Sequence, residues 1–173
     1  MDMMAKYPDG YFDLAIVDPP YGIGQDWRKN TKSPFFKHCS TYKNKSIPDK
    51  KYFDELFRVS DKQIIWGGIY YTQYLPPTGA WIFWDKKRSE KTFAAQGEVV
   101  CEPRSGIHPH EKPVLLYKWL LSKYAEPGMR ILDTHLGSGS IAIACCELGF
   151  QLEACEVYKN YFKASCKRIM NEI

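Results

Sequence analysis

Four consecutive residues near the start of the chain, Asp18-Pro19-Pro20-Tyr21, combine a carboxylate, a stiffened backbone and an aromatic ring. The Asp18 carboxylate and the Pro19 carbonyl are acceptors that could hold both N–H groups of an exocyclic amine on a base. These contacts would localise the amine's lone pair for attack on a sulfonium methyl group, with catalysis from orientation and electrostatics. The prolines stiffen the loop, and Tyr21 offers a face on which a flipped-out base could stack. The alternative is a strand that ends in a Pro-Pro turn, with Tyr21 as surface packing.

A second segment with the residues for chemistry lies between a predicted strand and a predicted helix: Asp133-Thr134-His135-Leu136-Gly137-Ser138-Gly139-Ser140. Its glycines allow a tight turn and a close approach of the backbone to a ligand at the helix N-terminus. Glu156 ends the next predicted strand, where its carboxylate could accept both ribose hydroxyls of an adenosine-type ligand. The third glycine of the dinucleotide fingerprint is missing, and the acidic Asp133 suits a cofactor that lacks a pyrophosphate. A glycine-rich turn of purely structural purpose is the alternative.

Apolar runs and helical periodicity predict the elements that must position these residues. Strands are expected at residues 12–17, 63–66, 80–84, 130–132 and 152–157, with a weak one at 97–102. Helices are expected at residues 49–59, 113–125, 140–148 and 158–171. This alternation predicts an α/β fold with a mostly parallel sheet and helices on both faces. Both segments follow strands, and ligands in such sheets bind at the carboxyl ends of the strands.

Length and composition favour a single globular domain. A chain of 173 residues with 45% hydrophobic and 25% charged residues can build one compact core. Neither a membrane span nor a secretory signal is visible, so we expect no membrane partner. The six cysteines form no CxxC pair and suggest reduced thiols and a cytoplasmic location. His108 and His110 lack a nearby cysteine pair, so no metal site is expected.

The positive charge is concentrated in one stretch of the chain. Six basic residues and no acidic one lie between Trp27 and Pro48: Arg28, Lys29, Lys32, Lys37, Lys43 and Lys45. Without these six, the remaining 18 basic and 20 acidic residues leave a net charge of −2. Such a segment, which also carries Trp27, Phe35 and Phe36, could bind DNA by releasing its counterions. A solvated lysine-rich loop is the alternative.

With both segments placed, the sequence resembles the DNA amino-methyltransferases, the N6-adenine and N4-cytosine family. The order of the segments, DPPY first and glycine loop last, is similar to the permuted β group. The stretch His108-Pro109-His110-Glu111-Lys112-Pro113 resembles the family's HPxxKP segment, which precedes a helix that lines the methionine end of the cofactor. The resemblance therefore implies that Lys112 and Pro113 belong to the cofactor pocket, with His108 and Pro109 nearby.

The resemblance implies a Rossmann-like methyltransferase fold that binds S-adenosylmethionine and methylates DNA. Asp18, Pro19, Pro20 and Tyr21 would be catalytic. The remaining assigned residues would bind the cofactor: Asp133, Thr134, His135, Gly137, Ser138, Gly139, Ser140, Glu156, Lys112 and Pro113. Because an Asp in the first catalytic position is commoner with adenine, we expect methylation of adenine N6. Cytosine N4, an amine in RNA or protein, and a non-catalytic nucleic-acid-binding remnant of the same fold are the alternatives.

Three features depart from the family's pattern. The chain begins close to the helix that leads to DPPY, so one strand is expected to be missing. Ile69 stands after Trp66-Gly67-Gly68, where many relatives have Asn. The target-recognition region, around residues 89–107, is very short between a predicted catalytic half (1–107) and a cofactor-binding half (108–173). Recognition is then minimal, supplied by the basic loop or by a separate subunit, or the chain is shortened. The sequence leaves open a homo-oligomer and a cognate restriction enzyme.

Overall fold

A four-stranded parallel sheet forms the centre of the computed structural model, which describes residues 3–22, 46–84 and 111–173. The strands are Phe12–Val17 (β1), Ser60–Ile65 (β2), Arg130–Asp133 (β3) and Gln151–Ala154 (β4). They lie in the order β2-β1-β3-β4, and each neighbouring pair is parallel. The predicted α/β class and its mostly parallel sheet are therefore confirmed.

Helices cover both faces of this sheet. They are Lys50–Val59 (α1), Val114–Tyr124 (α2), Ser140–Leu148 (α3) and Lys159–Glu172 (α4), with short 3-10 helices at Met4–Lys6 and Gly68–Tyr70. One apolar cluster packs side chains of α2 and α3 against the sheet, and a second packs α1 against it. A parallel sheet buried on both faces explains why the strand β1 is apolar at every position except Asp13.

The strand β1 lies between the two apolar clusters because successive side chains point to opposite faces. Leu14 and Ile16 pack in the cluster that contains α2 and α3, whereas Ala15 and Val17 pack in the cluster that contains α1. All four are at most 1% exposed. The central position of β1 fixes the point at which its carboxyl end, and hence Asp18, leaves the sheet.

The strand order creates a crevice beside that point. From β1 the chain continues through α1 to β2 on one side, whereas β3 pairs with β1 on the other side and leads to β4. The order therefore reverses between β1 and β3, where Leu14 lies opposite Ile131 and Ala15 opposite Leu132. Ligands of open α/β sheets bind outside the carboxyl ends of the strands at such a switch point. The DPPY segment follows β1 and the glycine loop follows β3, so both predicted site segments meet there.

Helix ends agree closely with the sequence signals. The Asp49 side chain accepts a hydrogen bond from the Tyr52 N–H (3.0 Å) and caps α1. Pro113 precedes α2 with φ −63°, which a proline ring favours, and the helix ends before Pro127. Gly149, with φ 75°, ends α3, and Phe150 N–H donates to the Cys145 carbonyl (2.9 Å). The four predicted helices are confirmed to within a few residues.

Three predicted strands differ from the structure. The last one, predicted at residues 152–157, ends at Ala154, so Glu156 lies in the segment after the strand. The second strand begins at Ser60 rather than at residue 63, and only Ser60 in it is buried, because β2 lies at the edge of the described sheet. Residues 80–84 do not form a strand. Ile82 and Trp84 of this run pack against the α2–α3 cluster, while Trp81 and Phe83 are exposed. The alternation therefore reflects side-chain packing without a backbone ladder. The weak strand predicted at 97–102 lies outside the described residues.

Candidate active site

Asp18 leaves the carboxyl end of β1 with both of its carboxylate oxygens engaged. The Tyr21 hydroxyl donates to Oδ1 (2.7 Å), and the Lys112 ammonium group forms an ion pair with Oδ2. The Asp18 side chain is 19% exposed, whereas that of Lys112 is only 5% exposed. A nearly buried cation therefore fixes the carboxylate in position. The structure brings Asp18 and Tyr21 of the DPPY segment together with Lys112 of the HPxxKP-like stretch.

The Tyr21 ring fits against a glycine that follows β2. A Cβ atom on Gly67 would lie 2.4 Å from Cε1 of Tyr21, and Gly67 has a φ of 67°. Both the space and the backbone conformation therefore require glycine at this position. Tyr70, in the short helix that follows, stacks on Tyr21 with the ring centroids 5.0 Å apart and an interplanar angle of 15°. The aromatic surface at Tyr21 therefore consists of two rings.

The backbone carbonyl of Pro19 has a buried partner. The hydroxyl of Tyr71, a residue with no exposed surface, donates a hydrogen bond to this carbonyl (2.6 Å). The carbonyl that was identified from the sequence as an acceptor is thus held by a side chain 52 positions away. No local pattern signals this contact, because Tyr71 lies in an irregular segment beyond Gly67-Gly68.

Lys112 contacts both Asp18 and the ring of Trp66. Its ammonium group is 4.8 Å from the ring centroid of Trp66, within the range of a cation–π interaction. Neighbouring Glu111 is also buried and forms an ion pair with Arg168 of α4 (3.1 Å). Two adjacent residues of the HPxxKP-like stretch therefore contact different elements: Glu111 pairs with the last helix, and Lys112 pairs with the DPPY segment.

The glycine loop lies between β3 and α3 and contacts β4 and α4. Leu136 N–H donates to the Cys155 carbonyl (2.9 Å), which links the loop to the segment after β4. A Cβ atom on Gly139 would lie 3.0 Å from Cδ1 of Ile169 and 3.2 Å from Cβ of Ser165, and its φ is 82°. The missing side chain of Gly139 permits close packing of α4, and the role of this glycine in cofactor binding stays a prediction.

Two serines of this loop face Arg168 of α4, whose side chain is largely buried. The hydroxyls of Ser138 and Ser140 lie 3.1 Å apart, and the Arg168 guanidinium donates to the Ser140 hydroxyl (3.0 Å) and the Ser138 carbonyl (3.4 Å). Both serines are buried. Arg168 therefore joins the glycine loop to Glu111, a connection that was missed from the sequence because the residues are far apart in the chain.

Glu156 is oriented by backbone N–H groups. Its Oε2 accepts from Gly137 (3.0 Å) and its Oε1 from Tyr158 (2.9 Å). Burial raises the pKa of the Glu156 carboxyl, and these hydrogen bonds oppose that effect. Because each carboxylate oxygen can accept more than one hydrogen bond, acceptor capacity remains for a ligand.

Asp133, Thr134 and His135 begin the glycine loop as a hydrogen-bonded group. Asp133 Oδ1 accepts from the His135 N–H (2.9 Å), and the Thr134 hydroxyl lies 2.9 Å from His135 Nδ1 and 2.7 Å from the Tyr52 hydroxyl. Burial raises the pKa of the Asp133 carboxyl to about 7 and lowers the pKa of the His135 imidazole to about 4. At neutral pH the imidazole is therefore uncharged. No local pattern signals the contact between Tyr52 and Thr134, because the two residues lie 82 positions apart in the chain.

The remaining predicted site residues lie outside the described parts of the chain: Arg28, Lys29, Lys32, Lys37, His108 and Pro109. Their DNA-binding and pocket roles stay predictions. Within the described ranges, no group of three or more His, Cys, Asp or Glu side chains could hold a metal ion. No described helix is long and apolar enough to span a membrane.

Comparison with known families agrees with this arrangement. A sequence model of the DNA methylase family, which comprises N6 and N4 methyltransferases, matches residues 38–167, well over half of the chain. The chain therefore belongs to this family and is a DNA methyltransferase of the N6/N4 type. The Type II methyltransferase M.HpaI of Haemophilus parainfluenzae is 20% identical over 215 residues, which cover 92% of this chain and 68% of that protein.

Solved structures show the same fold. TTHA0409 of Thermus thermophilus, assigned as a DNA modification methylase, superposes with a TM-score of 0.61 at 14% identity, covering 99% of this chain and 92% of that one. The M1.HpyAVI–SAM complex gives a TM-score of 0.54 at 17% identity, with coverages of 96% and 91%. The cytosine-N4-specific PvuII DNA methyltransferase gives 0.61 at 11% identity, with coverages of 98% and 86%. The Rossmann-like methyltransferase fold is thereby confirmed.

Proposed function

We propose that the protein transfers the methyl group of S-adenosylmethionine to the exocyclic N6 amine of adenine in DNA. The observation that carries this proposal is the meeting of two segments at one switch point. The DPPY segment follows β1, the glycine loop follows the adjacent strand β3, and Lys112 contacts Asp18 between them. An amine held on the first segment would then lie beside a methyl donor held on the second.

The cofactor would occupy the crevice beside the glycine loop. Glu156, fixed by the N–H groups of Gly137 and Tyr158, would accept the ribose hydroxyls. The N-terminus of α3 lies at this loop and Pro113 begins the approach to α2. Two relatives by fold, TTHA0409 and M1.HpyAVI, have been solved in complex with S-adenosylmethionine, which supports the same donor here.

The target amine would bind at the DPPY segment. Asp18 and the Pro19 carbonyl would each accept one of its N–H groups, which localises the lone pair for attack on the sulfonium methyl group. The Asp18 oxygens also bind Tyr21 and Lys112, and a carboxylate offers about four acceptor positions in all. The base itself would stack at the Tyr21–Tyr70 pair.

The choice of adenine depends on Asp18 as the first residue of the catalytic segment. It is tested by incubating the protein with unmethylated genomic DNA and S-adenosylmethionine, digesting the DNA, and identifying the methylated nucleoside by mass spectrometry. We expect N6-methyladenine. Formation of N4-methylcytosine instead would contradict the assigned base but keep the reaction. If calorimetry shows cofactor binding but neither methylated nucleoside is formed, the result would favour the non-catalytic remnant.

A further inference from the structure

Tyr71 contacts the one backbone atom to which the proposed mechanism gives a chemical role. Its hydroxyl donates to the Pro19 carbonyl at 2.6 Å, and the residue has no exposed surface. The Tyr71 hydroxyl is therefore shielded from solvent. The contact joins the segment after β2 to the segment after β1, so it depends on the fold and not on local sequence.

The Tyr71 ring is held on two sides by aromatic packing. Its centroid lies 5.1 Å from that of Phe53 on α1 and 6.4 Å from that of Tyr21. The backbone reaches this position through Gly67, in the left-handed conformation, and the short helix Gly68–Tyr70. Tyr71 N–H itself donates to the Gly68 carbonyl (3.0 Å). Ring packing and a backbone hydrogen bond therefore hold the Tyr71 hydroxyl in place.

A carbonyl oxygen has two lone pairs, and Tyr71 occupies one of them. Under the proposed function, the second accepts an N–H group of the target amine. We propose that Tyr71 is a positioning residue for methyl transfer: its hydroxyl fixes the direction of the Pro19 carbonyl so that the second lone pair meets the amine. This inference rests on the proposed function. Such preorganisation removes a reorientation step at the moment of reaction and acts on turnover more than on binding.

The test is Tyr71→Phe, which deletes one oxygen and keeps the ring. Tyr74→Phe is the matched control, because Tyr74 packs in the same apolar cluster and stacks on the same Phe53 ring (5.5 Å). Initial rates at saturating DNA and S-adenosylmethionine give kcat, calorimetry gives cofactor affinity, and thermal unfolding gives stability. Rates are compared at a temperature at which all variants are folded.

We expect Tyr71→Phe to lower kcat about tenfold, which is less than the roughly hundredfold loss that a misplacement of about 1 Å at a reacting centre can cause. The cofactor dissociation constant and the KM for DNA should stay within about twofold of the wild-type values. Tyr74→Phe should keep the wild-type kcat. Unchanged kcat in Tyr71→Phe, or an equal loss in both variants, would overturn the inference. If Tyr71→Phe does not fold, Phe53→Leu is the second variant, because it removes a ring that packs against Tyr71 but keeps the Tyr71 hydroxyl. We expect this variant to have a lower kcat and an unchanged cofactor affinity. An unchanged kcat would overturn the inference.

Wild type and Asp18→Ala are assayed in parallel to separate this inference from the proposed function. An active wild type, an inactive Asp18→Ala and a fully active Tyr71→Phe would contradict the role of Tyr71 alone. A wild-type protein that transfers no methyl group to DNA would contradict the proposed function and the inference with it.

Discussion

Asp18 follows β1 and Asp133 is the last residue of the neighbouring parallel strand β3, but the protein surrounds their carboxyl groups differently. Asp18 is partly exposed and contacts the Lys112 ammonium group and the Tyr21 hydroxyl. Asp133 is 2% exposed and accepts a hydrogen bond from the His135 N–H, and burial raises the pKa of its carboxyl to about 7. The first environment stabilises a charged acceptor, whereas the second favours the protonated form.

The raised pKa of Asp133 predicts a pH-dependent contribution to stability. In the unfolded chain an aspartate titrates near pH 4, so between about pH 4 and 7 the folded state binds more protons than the unfolded state. Stability from this group is therefore present below about pH 4 and is lost as the pH rises to about 7.

Asp133→Asn removes this titration while keeping the acceptor oxygen for the His135 N–H. Comparing wild type with the variant cancels the opposite contribution of His135, whose lowered pKa stabilises the folded state as the pH rises. In urea unfolding, the stability of Asp133→Asn relative to wild type should increase from about pH 5 to about pH 7 and then level off. A difference that does not vary with pH would contradict the buried, titrating carboxyl.

At the scale of residues, the sequence identifies the motif residues of the site better than the distant residues that hold them in place. Asp18, Tyr21 and Lys112 were assigned from motifs and are in mutual contact. Tyr71 and Arg168 were missed, because their partners Pro19 and Ser140 lie 52 and 28 positions away. A side-chain contact across such a distance depends on the packing of elements, which no local spacing encodes.

At the scale of elements, the last helix holds the predicted cofactor segments together. Arg168 of α4 pairs with Glu111 before α2 and donates to Ser138 and Ser140 of the glycine loop. The side chains of Arg168 and Glu111 are 10% and 5% exposed. A buried ion pair contributes little when both charges are replaced, but removing one partner leaves an uncompensated buried charge.

Arg168→Met should therefore lower the free energy of unfolding by about 3–5 kcal/mol, since the buried Glu111 would lose this cation. The double variant Arg168→Met/Glu111→Gln should recover part of this loss. Lys50→Met is the control: the Lys50–Asp54 pair on α1 is 70% and 56% exposed, and its loss should cost less than about 1 kcal/mol. Urea unfolding measures all three, and equal losses in Arg168→Met and Lys50→Met would contradict the bridging role.

Most elements could be predicted because their signals are local. The buried run of β1, the caps of α1 and α3, and the apolar periodicity of α1 all appear within a few residues. The run at residues 80–84 was misread because a strand needs a partner, and alternation alone does not show whether one exists. The low burial of β2 has the same cause: its edge position is a property of the sheet and not of its sequence.

At the scale of the whole molecule, the order of the segments and the order of the strands point to one site. DPPY occurs early in the sequence and the glycine loop occurs late. Because β1 and β3 are adjacent and parallel, both segments nevertheless lie at the carboxyl ends of the strands, on the same side of the sheet. Family membership agrees with this arrangement. The division into halves at residue 107 and the short recognition region at 89–107 stay predictions, as does DNA contact by Arg28, Lys29, Lys32 and Lys37.

Methyl transfer to DNA by the wild-type protein and by Asp18→Ala tests the proposed chemistry most directly. Each protein is incubated with genomic DNA and S-adenosylmethionine that carries a radiolabelled methyl group, and calorimetry confirms that both bind the cofactor. We predict label on the DNA with wild type and at least about a hundredfold less with Asp18→Ala, because the amine loses its charged acceptor. Equal labelling by the two proteins would contradict the proposed role of Asp18. Cofactor binding without any labelling by wild type would contradict the proposed reaction.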